Sequence, residues 1–307
     1  MPRYNTDRPY DDHRRAPVPG EPARIAFLGP AGTFTHAAAR GLFGGEPIYI
    51  DAPTIDGVFD AVRFGDADFG VAPIENSSEG PVTHSVDALI EGGVMIRGER
   101  ILEVNQCLMS VAPSLDGISR VYSHPQALAQ CRDWLARHLP RAELVNAAST
   151  AAAAREAATD PASAAIGSRM AGELYALPVL RERVQDESGN ATRFVVLGTT
   201  DAPRTGDDKT TIIFAVHDVR GALRRVLQVF DDRGVNLSRI ESRPNRRRAW
   251  DYLFVADLDG HRDDANIRDA TAALIAICPM LRHLGSYPRH REAVDTRGAA
   301  ESGDGDD

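Results

Sequence analysis

Arg24-Ile-Ala-Phe-Leu28, followed by Gly29-Pro-Ala-Gly-Thr-Phe-Thr-His36 and then by Ala37 to Leu42, reads as a strand, a glycine-bearing turn and the start of a helix. The apolar run is short and ends at Gly-Pro, which is the mark of a buried strand. A strand feeding a helix through such a turn aims backbone N–H groups at one point, a cradle suited to a carboxylate or phosphate. Gly-x-Gly-x-x-Gly is absent and no Gly-Lys-Ser/Thr follows, so the turn is neither a dinucleotide fingerprint nor a P-loop. Thr33 or Thr35 could equally serve as a plain helix cap.

The same alternation continues outward. Ile55, Val58, Phe59 and Val62 recur at helical spacing, predicting an amphipathic helix over 54–64. Phe69 to Ile74 reads as another buried strand that delivers Glu75-Asn76-Ser77-Ser78-Glu79-Gly80 to its carboxyl end, where open α/β sheets bind ligands. A helix over 82–90 follows. Beyond Gly92-Gly93 a second lobe begins: a strand over 104–111, then Val121 to Leu128 as strand, turn and helix start, with Pro125 in the first helical turn. Ser123, His124 and Gln126 would stand at its mouth. Ser149 opens an alanine-rich helix, Ala164 to Gly167 is a short strand, and Ser168 caps a helix running to Leu177. Strands alternating with helices in both halves predict parallel sheets with covering helices. Asp186 to Phe194 then reads as a polar loop running into the strand Phe194 to Gly198, so the two lobes form a clamshell with the ligand between them. Within three residues that loop offers a hydroxyl, a guanidinium and an aromatic ring.

Residues 202–208 have linker composition. After them come a strand over 210–216, a helix marked by Leu223, Val226, Leu227 and Phe230, a strand over 235–240, an alternating strand from Tyr252 to Leu258, a helix stopped by Pro279 and a strand over 281–287. That order, βαββαβ, is a ferredoxin-like unit of about eighty residues, a size typical of an independent domain. The arginine run Arg246 to Arg248 reads as a solvated hairpin tip.

Composition narrows the function. A formal net charge of -9 over 307 residues argues against nucleic acid or an anionic membrane surface as partner, so an anionic ligand must be held by local donors. Cys107, Cys131 and Cys278 form no Cys-x-x-Cys pair, which fits a reducing cytoplasm. No apolar run approaches the ~20 residues of a membrane span, and the start of the chain has no apolar signal core. The nine histidines show no His-x-x-x-His pair, so no metal site is expected. Residues 1–22 and 295–307 lack apolar periodicity and are expected to be disordered tails.

Six segments in order resemble one family, the prephenate dehydratases with a C-terminal ACT regulatory domain. They are Gly29 to Thr35, Pro73-Ile-Glu-Asn-Ser77 with Gly80, Tyr122-Ser-His-Pro-Gln-Ala-Leu128, Asn190-Ala-Thr-Arg-Phe194, Gly221-Ala-Leu223 with Leu227, and Glu241-Ser-Arg-Pro244 after Asn236. The resemblance spans residues 24 to about 287 and implies an α/β fold: a two-lobed, periplasmic-binding-protein-like catalytic domain over 24–200, then a ferredoxin-like ACT domain over 209–287. Lobe 1 would take about 24–104 plus 188–200, and lobe 2 about 105–187. The implied reaction converts prephenate to phenylpyruvate, water and carbon dioxide without metal or organic cofactor, a step of phenylalanine biosynthesis. Thr192, Arg193 and Glu75 are implied as catalytic residues, with Thr192 donating to the departing oxygen and Arg193 clamping a carboxylate. Gly32, Thr33, Asn76, Ser77, Ser123, Asn190 and Phe194 are implied as substrate contacts, Phe194 as an apolar wall. L-Phenylalanine would bind between two ACT copies through Gly221, Ala222, Leu223, Asn236, Leu237, Glu241, Ser242, Arg243 and Pro244, making the protein a homo-oligomer, dimer or tetramer. Neither a chorismate mutase-like helical segment nor a dehydrogenase fingerprint is seen, so a monofunctional enzyme is expected. The competing expectations are arogenate dehydratase and a non-catalytic amino-acid sensor.

Overall fold

A computed structural model describes residues 21–244 and 252–291. The expected tails lie outside these residues apart from Glu21 and Pro22, as does the arginine run at 246–248. The chain opens with β1 (Arg24–Leu28), α1 (Phe34–Phe43), β2 (Ile48–Ala52), α2 (Ile55–Arg63), β3 (Phe69–Asn76), the two-residue β4 (Gly80–Pro81), α3 (Thr83–Glu91) and β5 (Met95–Glu103). A second group follows: β6 (Cys107–Met109), β7 (Arg120–Ser123), α4 (Pro125–Gln130), α5 (Arg132–His138), β8 (Glu143–Asn146), α6 (Thr150–Ala157), β9 (Ser163–Gly167), α7 (Arg169–Leu174) and β10 (Val179–Arg181). The chain then returns to the first sheet as β11 (Ala191–Gly198). Last come β12 (Asp208–Ala215), α8 (Ala222–Asp231), β13 (Leu237–Pro244), β14 (Tyr252–Asp259), α9 (Ala265–Ile275) and β15 (Met280–Pro288), in the βαββαβ order.

Three sheets result. The first runs β2-β1-β3-β11-β5 with β4 appended to β3, the second β10-β6-β9-β7-β8, and the third β13-β14-β12-β15. In the first, β1 pairs parallel with β2 and β3, while β11 enters antiparallel between β3 and β5. The amino end of β11 therefore lies beside the carboxyl end of β3, with Thr192 opposite Asn76 and Arg193 opposite Glu75.

Both faces of the first sheet are covered. On one, Phe27, Val71 and Phe194 pack against Ala38 and Ala39 of α1. On the other, Val195 and Leu197 join Val58 and Phe59 of α2 and Val86 and Leu89 of α3, and the same cluster takes in Ile213, Leu253, Val255, Leu284 and Tyr287 of the third sheet. The third sheet thus has two buried faces. Ile212, Phe214, Ala256 and Leu258 point at α8 and α9, and the alternate residues point at the first sheet.

Two differences from the sequence reading matter for function. The strand expected to stop at Ile74 continues through Glu75 and Asn76, and the loop expected up to Phe194 is already strand from Ala191. Extended backbone turns successive side chains to opposite faces, so residues that a loop could gather at one point are separated here. Met95 to Glu103 was not expected as a strand, because Arg97, Glu99 and Arg100 interrupt any apolar alternation. The buried Glu99 in it has a charged partner on each side, described below.

Candidate active site

The carboxyl edge of the first sheet faces the second. At one point Ser168, which caps α7, donates to the Gly32 carbonyl at 2.6 Å. A second bridge runs from Gln126 of α4 to Glu79 beyond β3. Each bridge joins a turn that follows a strand in one lobe to its counterpart in the other, and the amino end of β11 lies on this same edge.

There Asn76 Nδ2 donates to Asn190 Oδ1 at 2.8 Å and to Thr192 Oγ1 at 2.9 Å. The orientation of the amide follows from its other end, since Asn76 Oδ1 accepts the Ser78 and Glu79 amides at 3.0 and 3.1 Å. Thr192 Oγ1 is consequently an acceptor toward Asn76 and keeps its own proton, which no acceptor among the described residues takes. A hydroxyl polarised by an incoming N–H and free to donate is what a departing oxygen needs. Ser77 fastens the two segments: its amide donates to Ala191 O at 2.8 Å, and its hydroxyl accepts the Ala191 amide at 2.9 Å.

Other expected site residues lie elsewhere. Arg193 occupies the opposite face from Thr192, where Nε meets Glu99 Oε2 at 2.7 Å, Nη1 meets Asp257 Oδ2 at 2.5 Å and Nη2 donates to Tyr287 Oη at 2.9 Å. The clamp expected of it is corrected, because its guanidinium is consumed by protein partners. Glu75 follows Arg193 to that face, 3.7 Å from Arg193 Nη1 and 3.2 Å from Arg239 Nε, so it does not share the surface of Asn76 and Thr192. Ser123 is fully buried and donates to the Ile166 carbonyl at 2.7 Å, a bond within the second sheet in place of a cleft contact. Phe194 shares the face of Thr192 but is sunk in the α1 core at 2 % exposure, so it supports the cleft from beneath and forms no wall.

The turn at residues 29–36 is also more committed than expected. The Gly32 amide donates to His36 Nδ1 at 3.1 Å, and Thr33 Oγ1 accepts the His36 amide while donating to Leu28 O. Burial and the nearby Arg40 push the His36 imidazole below its ordinary pKa, and the ring stacks on Phe27 with centroids 4.5 Å apart. Thr33 is thus the cap of α1, and the first-turn amides of Phe34 and Thr35 remain as the donors a helix start presents. Gly32 is obligatory for the approach of the lobes: it sits at φ 92°, and a Cβ there would lie 3.2 Å from Ala171 Cα. From sequence Gln126 falls at the mouth of the second lobe, Glu79 is only part of the turn after a strand and Ser168 only a helix cap; the signal of each is a polar residue just after a strand.

In the third sheet, Gly221, Ala222 and Leu223 line a cavity of about 280 Å3 together with Val216, Tyr252 and Phe254. Of the remaining expected effector contacts, Ser242 and Pro244 pair across β13 and β14 with the cavity residues Phe254 and Tyr252, and the others are engaged as follows. Asn236 donates to Asp259, and Leu237 packs at the rim of the α8 and α9 core. Glu241 takes Arg239, and Arg243 reaches Asp87 of α3 at 2.7 Å. Burial pushes the Glu241 carboxyl above its ordinary range despite these arginines. Ser242 is exposed, and Pro244 ends β13.

Among the described residues no helix is long and apolar enough to cross a membrane, no cluster of His, Cys, Asp and Glu could hold a metal ion, and all three cysteines are free and buried.

Comparison with known proteins agrees with this layout. The prephenate dehydratase family model matches residues 25–202, and the ACT domain model matches residues 210–276. The bifunctional chorismate mutase/prephenate dehydratase of Aquifex aeolicus is 42% identical over 266 residues, covering 87% of this chain and 74% of that protein. The prephenate dehydratase of Mycolicibacterium gilvum is 38% identical over 292 residues, covering 90% and 93%. The crystal structure of prephenate dehydratase from Arthrobacter aurescens in complex with L-Phe superposes with a TM-score of 0.78 at 40% identity, covering 87% of this chain and 90% of that one. With a two-lobed α/β domain resembling periplasmic binding proteins and an ACT domain after it, the chain belongs to the prephenate dehydratase family.

Proposed function

We propose that the cleft beside Asn76 and Thr192 converts prephenate to phenylpyruvate, carbon dioxide and water. The observation that carries this is the Asn76 to Thr192 hydrogen bond, which leaves the threonine hydroxyl free to donate. Prephenate loses its ring hydroxyl and its ring carboxylate. The pair from the broken C–C bond enters the ring as carbon dioxide departs, the C–O pair leaves with oxygen as hydroxide, which takes a proton from solvent to become water, and the ring becomes aromatic. Aromatisation supplies the driving force, so the protein has to orient the dianion and stabilise the oxygen as charge develops on it. A threonine hydroxyl is a poor acid, and hydrogen-bond donation from Thr192 fits better than full proton transfer. With Arg193 engaged elsewhere and both Asn76 amide protons spent on Asn190 and Thr192, the carboxylates fall to the first-turn amides of α1 and to the Asn190 side-chain amide.

L-Phenylalanine is the effector in this reading. The relative from Arthrobacter aurescens was crystallised with L-Phe, and the cavity at Gly221, Ala222 and Leu223 has an apolar wall for a benzyl side chain. Exposed Val219 and Tyr252 at its rim, with Ile240 on β13, favour a second copy as its cover. Within one chain the Glu241 segment borders the cavity, since Ser242 and Pro244 pair with Phe254 and Tyr252, and a second copy would close it from outside. Three free thiols fit work in the cytoplasm.

Purified protein given prephenate should form phenylpyruvate, and saturating L-phenylalanine should bind with measurable heat and slow turnover about tenfold, a typical coupling. Turnover of arogenate alone would replace the substrate; a chain that binds L-phenylalanine without turning over either compound would be a sensor.

A further inference from the structure

Arg193 joins three strands from two domains at one buried point. Its guanidinium touches Glu99 of β5, Asp257 of β14 and Tyr287 of β15, and the side chains of Glu99 and Asp257 are only 0% and 2% exposed. Lys209 of β12 supplies a second positive charge, 2.9 Å from Glu99. Thr211 completes the set by donating to Asp257 at 2.7 Å and meeting the Tyr287 hydroxyl at 2.6 Å. Burial drives the Asp257 carboxyl upward, but Arg193, Arg239 and the Thr211 hydroxyl outweigh it and hold the group below the ordinary carboxylate range.

Such a cluster is a poor source of stability, because desolvating its charges costs about as much as their attraction returns. Apolar contact already joins the two sheets through Ile213, Leu253, Val255, Val195 and Leu197. What the cluster adds is fixed geometry, and it adds it beside Thr192. Arg193 and Thr192 share one peptide unit of β11, and the pairing of β11 with β3 shifts register just there, between Arg193 and Phe194. Register irregularities re-aim neighbouring side chains, so this stretch needs an external anchor.

We propose that Asp257, a residue of the ACT domain, is a positioning residue for the dehydration: through the Arg193 guanidinium it fixes the amino end of β11 so that Thr192 stays on Asn76. This rests on Thr192 being the donor to the departing oxygen. The ACT domain is then part of the catalytic architecture even without effector.

The test is a double-mutant cycle in the full-length protein, with kcat and KM for prephenate measured well below the melting temperature. Asp257→Asn keeps the size of the side chain and removes its charge. It should lower kcat about tenfold or more with KM within about twofold, the scale expected when a reacting group is misplaced without losing substrate contacts. In the Thr192→Val background the same substitution should have no further effect on kcat, because it acts through the hydroxyl already removed. Equal fractional losses in both backgrounds, or an Asp257→Asn protein with wild-type kcat, would overturn the proposal. If Asp257→Asn does not fold, Arg193→Lys, which keeps the charge but loses the fork that reaches Asp257 and Glu99 together, closes the same cycle with the same criteria. The Thr192→Val protein measured alone separates the two claims. If it is as fast as wild type, the donor role and this proposal both fail; if it is slow and the losses multiply, only the positioning role fails.

Discussion

Thr192→Val lowers kcat for prephenate by about 10²-fold or more, the usual cost of removing one donor aimed at developing negative charge. The substitution is nearly isosteric, and Val suits a strand at least as well as Thr. Asn76 Nδ2 loses one of its two acceptors and keeps Asn190 Oδ1 at 2.8 Å. The stability cost is therefore about 1 kcal/mol at most. Circular dichroism and thermal unfolding should show a folded protein. A folded variant that forms phenylpyruvate at close to the wild-type rate would remove Thr192 from the mechanism.

The second large effect is expected at a glycine far from the cleft. Gly285 lies in β15 with φ 144°, where the pairing with β12 shifts register, and β15 packs on β5 there so closely that an added Cβ would sit 2.1 Å from the Ile96 carbonyl oxygen. That neighbour is backbone and cannot rotate away. Gly285→Ala must strain φ and push the two strands apart, for a combined cost of about 3 kcal/mol or more. The displacement would carry Tyr287 away from Arg193, so kcat should fall along with the melting temperature. Gly206→Ala is the control: its φ is also positive, at 92°, but nothing lies within 4 Å of its added Cβ. It should lose only the backbone term and keep its turnover. Equal melting temperatures for the two variants would mean that β15 and β5 do not pack this closely.

The fold was legible because its signals are local. Leu223, Val226 and Phe230 on α8, the cap at Ser149 before α6, and the apolar runs of β1 and β9 each carry their periodicity within a few residues. Strand β5 escaped because the charge of Glu99 is matched only by Arg193, 94 positions away, and by Lys209, 110 positions away. Strands β8 and β10, of four and three residues, also went unread; they are too short to show a period.

The site was half legible for a related reason. Asn76, Ser77, Asn190 and Thr192 do converge. Glu75 and Arg193 are their immediate neighbours in sequence and were grouped with them because both segments read as loops. Once each segment is strand, alternation divides the group by parity, and the charged members turn to the ACT domain. Ser123 illustrates the same limit: a serine at a strand end can serve a cleft or a neighbouring carbonyl, and only the packing of β9 beside β7 decides for Ile166.

The division of β3 and β11 into a reacting face and an anchoring face is tested most directly by a crystal structure of Thr192→Val protein soaked with prephenate. The substrate ring should lie over residue 192 within hydrogen-bonding reach of Asn76, with the Arg193 to Asp257 pair intact and no substrate atom on the guanidinium. A ligand carboxylate bound by Arg193, with Asp257 displaced, would contradict the account.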